Sequence, residues 1–290
     1  EVDHIVQLQP ADVLLGQRNL QMYRFSHVVP LPYTCSTRPY REIRQTALRQ
    51  SAVDCGCRPE DFLQERPVIV ESAPNSNARK YLDLPFVCDL VSYGSNVVAS
   101  IDGRYRELVA GYLERFPAEH CFETPALHVL DDAFRPHGMR VCYMAEYFLP
   151  DPAALRQYGC PYPLRLLGPR DFAGLYLPAW SNALCEKRKE LDVLGVGAYD
   201  GERLVGLAAC SADCDGMWQI GMDVLPDARR QGVAAALTSR LTGEIFARGK
   251  VPFYCCAWAN IKSARTALKC GFRPAWAEVT VRPALSIPVL

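Results

Sequence analysis

Residues 224–234 read Val-Leu-Pro-Asp-Ala-Arg-Arg-Gln-Gly-Val-Ala, a strand-like end that turns through two arginines and a glycine into an apolar run. These residue types suit the capture of a diphosphate. Such an anion needs several backbone N–H groups at once, and a helix N-terminus offers unpaired donors carrying a partial positive charge. Gly232 lets the backbone approach a ligand closely, Ala234 keeps the next contact small, and Arg229 and Arg230 add charge where phosphates would lie. Val233, Leu237, Leu241 and Ile245 then recur at helical spacing until Gly249, a C-terminal stop, so the turn is expected to open a helix. Residues 251–258, Val-Pro-Phe-Tyr-Cys-Cys-Ala-Trp, read as a short buried strand. They lead into Asn260-Ile-Lys-Ser263-Ala-Arg-Thr-Ala267-Leu-Lys-Cys-Gly271-Phe272, an Asn-capped helix that ends at a glycine.

The first stretch resembles motif A of the GCN5-related N-acetyltransferases, written Arg/Gln-x-x-Gly-x-Gly/Ala, and the second resembles motif B, Asn-x-x-Ala/Ser through to Gly-Phe. The resemblance implies a fold of α/β (α+β) type with a mixed central sheet. It implies acetyl-CoA as co-substrate, its pyrophosphate held at Val224, Arg229, Arg230, Gln231, Gly232, Val233 and Ala234 and its pantetheine arm passing Asn260 and Ser263. The implied reaction moves an acetyl group to a primary amine of a small molecule or an amino terminus, by direct attack within a ternary complex. In it the tetrahedral oxyanion is met by a backbone N–H near Met222.

An acceptor ammonium with a pKa near 10 must first lose a proton, which calls for a carboxylate or histidine as base. Asp223 is nearest in sequence, with a loop-capping role as its other reading, and Glu146 and Asp213 are alternatives. The departing thiolate is commonly protonated in this family by a tyrosine seven residues after the motif B Asn. That position here is Ala267. Tyr254, or a thiol such as Cys255, is left as the substitute acid, with ordinary core packing as the competing reading of each. The missing tyrosine also supports an alternative function, an acyl-CoA-binding or sensing protein that keeps the cradle without turnover. Trp180, Trp218, Trp258 and Trp276 are candidates to shape an acceptor pocket or simply to pack the core.

Composition bounds the partners. The chain has 290 residues, 49% of them hydrophobic, with 32 basic and 32 acidic side chains that cancel, so nucleic acid and anionic membrane are not expected as main partners. Its 13 cysteines are an odd number scattered through a chain too large to need stapling, from Cys35 to Cys270, which fits free thiols in a reducing cytosol. Cys55-Gly56-Cys57 has no second pair to complete four metal ligands, and His120 with Glu123 has no matching pair, so no metal is expected. No run approaches the roughly 18 apolar residues of a membrane span, and residues 1–10 lack a signal pattern, which together predict a cytoplasmic protein.

Such length exceeds what one acetyltransferase domain needs, and proline-rich sequence after residue 150 marks a division. Residues 159–290 are expected to form the acetyltransferase domain. It should comprise a first strand at 164–167, a helical region over 171–190 interrupted at Pro178, and a hairpin of 193–199 and 203–211 about Asp200-Gly201. The strand 217–224 follows, and 275–281 closes the sheet. Residues 1–158 are expected to form a second α/β domain, resembling a degenerate copy of the first that walls the acceptor pocket. Helices are predicted over 40–53, from Pro59, over 104–116 and over 124–134, and strands within 85–101 and over 139–149. No phosphate cradle occurs there.

Overall fold

Alternating and continuous apolar runs pair into a single mixed sheet in the computed structural model, which describes residues 38–286; residues 1–10 and Cys35 lie outside it. In chain order the strands are β1 (Val68–Glu71), β2 (Cys88–Ser92), β3 (Val98–Ile101), β4 (Met139–Pro150), β5 (Leu164–Leu167), β6 (Asp192–Asp200), β7 (Arg203–Ser211), β8 (Met217–Val224), β9 (Val251–Ala257) and β10 (Phe272–Pro283). The helices are α1 (Tyr40–Cys55), α2 (Arg106–Arg115), α3 (Thr124–Phe134), α4 (Val233–Ala247) and α5 (Ile261–Lys269). The strand order is β1-β3-β2-β10-β4-β9-β8-β7-β6-β5. Only β1 with β3 and β8 with β9 run parallel among these neighbours.

Most predicted elements form where expected, and the hairpin turns at Gly201 with φ +60°. Two regions differ. The region 171–190 holds only short 3-10 turns, Pro169–Phe172, Pro178–Trp180 and Glu186–Leu191. Prolines at 169 and 178 start new turns there, and Phe172, Trp180, Ala183 and Leu184 are anchored individually against Leu207 and Ala209 instead of along one helical stripe. The strand at the C-terminal end does not close the sheet at an edge. β10 lies inside it, paired to β4 through Phe272–Pro283 and to β2 through residues 277–281.

The boundary expected at 158/159 falls between β4 and β5, yet the strands on its two sides interleave. β4, from the N-terminal half, inserts between β9 and β10 of the C-terminal half, facing Cys255 with Tyr147 on one edge and Trp276 with the same residue on the other. Side chains then sort by parity. Phe148 joins Ile220, Tyr254 and Phe272 beneath α4 and α5, while Tyr147 joins Met217, Phe253 and Trp276 beneath α1. On the α4–α5 face, α2 and α3 cover Leu90, Ile101, Val279 and Val281. A chain cut to residues 159–290 lacks β4 and β2, so β9 and β10 each lose their partner there and Phe253 and Trp276 lose their cover. Circular dichroism melts should show that this fragment has no cooperative transition near that of the whole chain.

Candidate active site

The centre of the site is a place where two strands part. β8 and β9 pair in parallel from Met217–Val251 to Ile220–Tyr254 and no further, although β8 continues to Val224 and β9 to Ala257. Each is held from outside: β7 follows β8 as far as Val224, and β4 follows β9 to Ala257. An opening therefore forms at their C-terminal ends with neither strand free to close it. Successive amides of a strand point to alternate sides. The Leu225 N–H donates to Val205 of β7 at 2.9 Å, so the N–H groups of Met222 and Val224 are directed away from β7, into the opening. The Met222 amide, the oxyanion donor expected from the resemblance, is one of the two that face the opening.

The predicted cradle begins at the end of β8. Arg230 and Gly232 both adopt left-handed conformations, φ +63° and +85°, so the chain turns sharply just before α4. The first intrahelical bond of α4 runs from the Ala236 N–H to the Gly232 carbonyl, leaving the amides of Val233, Ala234 and Ala235 without a helical acceptor. A Cβ on Gly232 would meet nothing within 4 Å, so the space above it is open. Arg229, Arg230 and Gln231 are exposed beside it. Arg229 folds back to cap the Val224 carbonyl at 2.9 Å, and Gln231 is held by the Asp227 carbonyl and the Tyr162 hydroxyl. Val233 is buried and packs where Gly206 leaves room, anchoring the start of α4 on β7. These groups fit an anionic phosphate chain: open space, unpartnered amides and two cationic side chains at one helix N-terminus.

Asn260 caps α5, its side chain accepting from the Ser263 N–H at 3.2 Å, as the sequence predicts. Ser263 is engaged as well, its hydroxyl 2.7 Å from that of Tyr254. Tyr254 is buried among Phe148 and Phe272, and burial pushes its hydroxyl up to about 12, so it carries its proton at neutral pH. Ala267 lies one turn beyond Ser263, fully buried in the core. The tyrosine ring beneath α5 in this chain comes from β9 and not from the helix.

Asp223 lies on the face opposite α4. Its Oδ2 accepts from the Asn182 and Ala183 amides at 2.9 Å each, and Oδ1 accepts from Asn182 Nδ2 at 2.7 Å. The loop is so close that a Cβ on Gly221 would lie 1.9 Å from the Asn182 carbonyl oxygen. This geometry matches the loop-capping role. Asp213, fully buried, pairs with Arg188 at 3.1 Å near the far end of β8 from the opening. Glu146 faces Cys256 across β4 and β9, and burial raises its carboxyl. Sequence reasoning passed over Tyr143, which is 42% exposed on β4. Its lone signal was a tyrosine in alternation with Ala145 and Tyr147. Of the tryptophans, Trp258 is exposed just after β9, whereas Trp180 and Trp276 are buried. Among the described residues no group of three or more His, Cys, Asp and Glu side chains is arranged to hold a metal, and no helix is long and apolar enough to cross a membrane.

The matched segment spans both sides of this opening. A family model described as GNAT acetyltransferase matches residues 179–276. Residues 179–276 are thus similar to the GNAT acetyltransferases. The sheet is mixed and covered by helices, the α/β arrangement that the resemblance implies. Among solved structures, a putative GNAT acetyltransferase from Novosphingobium aromaticivorans is 20% identical over 50% of this chain and 66% of its own, with TM-score 0.41. A GNAT acetyltransferase from Colwellia psychrerythraea is 16% identical over 49% and 56%, with TM-score 0.40. A putative acetyltransferase from Salmonella typhimurium, solved with its cofactor acetyl-CoA, is 16% identical over 44% and 98%, with TM-score 0.31. The chain thus spans less than two thirds of the length of the first two. No curated protein matches it.

The cradle makes a direct prediction. Replacing Gly232 by Val forces a β-branched residue into the left-handed region, at about 1–2 kcal/mol of stability, and projects its side chain into the open space. Calorimetry should show CoA affinity reduced at least about tenfold, equivalent to about 1.4 kcal/mol, while far-ultraviolet circular dichroism stays unchanged.

Proposed function

We propose that this chain transfers an acetyl group from acetyl-CoA to a primary amine of a small molecule or an amino terminus, by direct attack in a ternary complex. The observation that carries the proposal is the opening between β8 and β9 placed at the N-terminus of α4. Phosphates held by the amides of residues 232–235 and by Arg230 leave the pantetheine arm to run along the unpaired edge of β8. The thioester carbonyl then comes within reach of the Met222 amide, which is already directed into the opening and needs no reorganisation to meet developing negative charge. Closed strands on either side fix the two substrates at one point, so that a bimolecular reaction between an amine and a thioester becomes effectively unimolecular.

The thiolate leaves toward the α5 face. Tyr254, protonated at neutral pH and hydrogen-bonded to Ser263 in the core beneath α5, is the proton donor of this proposal. A thiol is a tolerable leaving group, so a proton donor there accelerates the step without being indispensable. The chain is proposed to act as a soluble, cytoplasmic enzyme on a small-molecule amine, without a metal and with neither nucleic acid nor membrane as partner.

The test is release of free thiol from acetyl-CoA across a panel of primary amines and peptides. Amine-dependent release establishes transfer; tight CoA binding with no release for any amine would favour a sensing role. Tyr254→Phe should lower kcat about tenfold, at the low end of general-acid effects, and leave the KM for acetyl-CoA unchanged, as read by steady-state kinetics.

A further inference from the structure

Charge is not spread evenly along this chain. Its formal charges cancel overall, yet residues 228–277 hold nine lysines and arginines and one acid, Glu244, which Arg240 and Arg248 already pair at 2.8 and 2.9 Å. Arg229 and Arg230 stand at the cradle, and three more cations project from α5. Lys262, Arg265 and Lys269 follow one another at spacings of three and four residues, which puts them on one side of the helix, and all three are exposed. Among the described residues none of the three takes part in an ion pair. Like charges at such spacings disfavour a helix, and Lys262 in the first turn also opposes the positive end of the helix dipole. A bound anion reverses the sign of both effects.

The fold brings these cations to the cradle's side of the molecule. β8 and β9 run parallel, α4 follows β8 and α5 follows β9, so both helix N-termini lie at the end of the slot where the strands part. α5 then leans on α4. Cys270 Sγ donates to the Ala235 carbonyl at 3.5 Å, and Tyr158 spans the pair, its N–H donating to Ser239 Oγ at 3.4 Å and its hydroxyl to the Lys269 carbonyl at 2.6 Å. Lys262, Thr266 and Cys270 recur every four residues, so Lys262 lies along the side of α5 that makes the contact with α4. Arg265 stands beside it, about one turn further along the helix. The Lys269 ammonium lies over the Tyr158 ring, 4.9 Å from its centre, and is already engaged. The remaining flank of α4 is taken by the segment 155–163, where the Tyr162 hydroxyl meets Gln231 at 3.3 Å.

We propose that Lys262 and Arg265 bind the 3′-phosphate on the nucleotide half of CoA, so that this protein distinguishes CoA from its 3′-dephospho form. The proposal rests on the acetyl-CoA reading of the cradle. With the diphosphate at the start of α4 and the pantetheine arm in the slot, the adenosine end leaves the cradle on its outer side. One flank there is occupied by the segment 155–163, and the other carries the cations of α5. A phosphate monoester bears a charge of about −2 at neutral pH. Arg265 can meet it with two parallel N–H···O bonds and Lys262 as a point charge. The diphosphate is then held by backbone amides and Arg230, and the third phosphate by side chains of α5.

The test is calorimetric titration with CoA and with 3′-dephospho-CoA, which differ in that phosphate alone, of wild type, Lys262→Ala, Arg265→Ala, the double variant and Gly232→Val. Wild type should bind CoA at least about tenfold more tightly than the dephospho form, and added salt should narrow the difference. Each single alanine variant is expected to lose about fivefold in CoA affinity, the upper end for an exposed ion pair. The double variant should bind the two forms equally, with affinity for the dephospho form unchanged throughout. Gly232→Val, by contrast, should weaken both forms alike. Equal affinities in wild type overturn the proposal alone, and so does a preference for CoA that survives in the double variant. Loss of both forms in equal measure in the α5 variants also overturns it, as the mark of a diffuse field. A wild type that binds neither form overturns the CoA reading and the proposal with it. Both side chains are exposed and alanine is the best helix former, so α5 persists in these variants, which far-ultraviolet circular dichroism checks.

Discussion

The parting of β8 from β9 after Ile220 and Tyr254 governs how this protein can work, because it converts a continuous sheet into a slot lined by free amides. A parallel strand pair that separates ordinarily sacrifices hydrogen bonds for nothing. Here each strand keeps its outer partner, so the cost is confined to one edge of residues 221–224 and one edge of residues 255–257. The same separation delivers the end of β8 straight into the left-handed turn at Arg230 and Gly232, and the start of α4 follows. Cradle and slot are thus one backbone feature, and moving either would move the other.

The outer support of β9 comes from the opposite half of the chain. β4 reaches across to hold β9 on one side and β10 on the other, and β10 pairs in turn with β2. The two halves share strands and are not merely pressed together. Tyr147 and Trp276, stacked within this shared region, bind the core under α1 to the back of the slot. A change in the N-terminal half is therefore transmitted to the site by rigid strands as well as by surface contact.

Burial of charge beneath α1 is a place where the fold accepts a visible penalty. Arg79, Asp54, Asp89 and Glu278 are each at most 5% exposed, and only the first two form an ion pair. Replacing such groups by apolar residues is often neutral or stabilising in proteins. Such a local cost is the kind that accompanies function.

The sequence by itself determined the elements whose cause is local. Gly232 was legible because only glycine sits comfortably at φ +85°, Asn260 because a helix start needs a side-chain acceptor, and the 3.6-residue period of α4 because one face must be apolar. The single helical region expected over 171–190 was not legible, since prolines broke a pattern that tertiary anchoring of Phe172 and Trp180 then satisfied without a helix. Asp223 illustrates the limit for side chains: its place in the sequence beside the slot was plain, but its direction toward Asn182 depends on a loop some forty residues earlier. Strand order was decided only by the tertiary structure. Alternation tells a strand which face to bury and is silent on which edge to join, so the insertion of β4 between β9 and β10 had no signature along the chain.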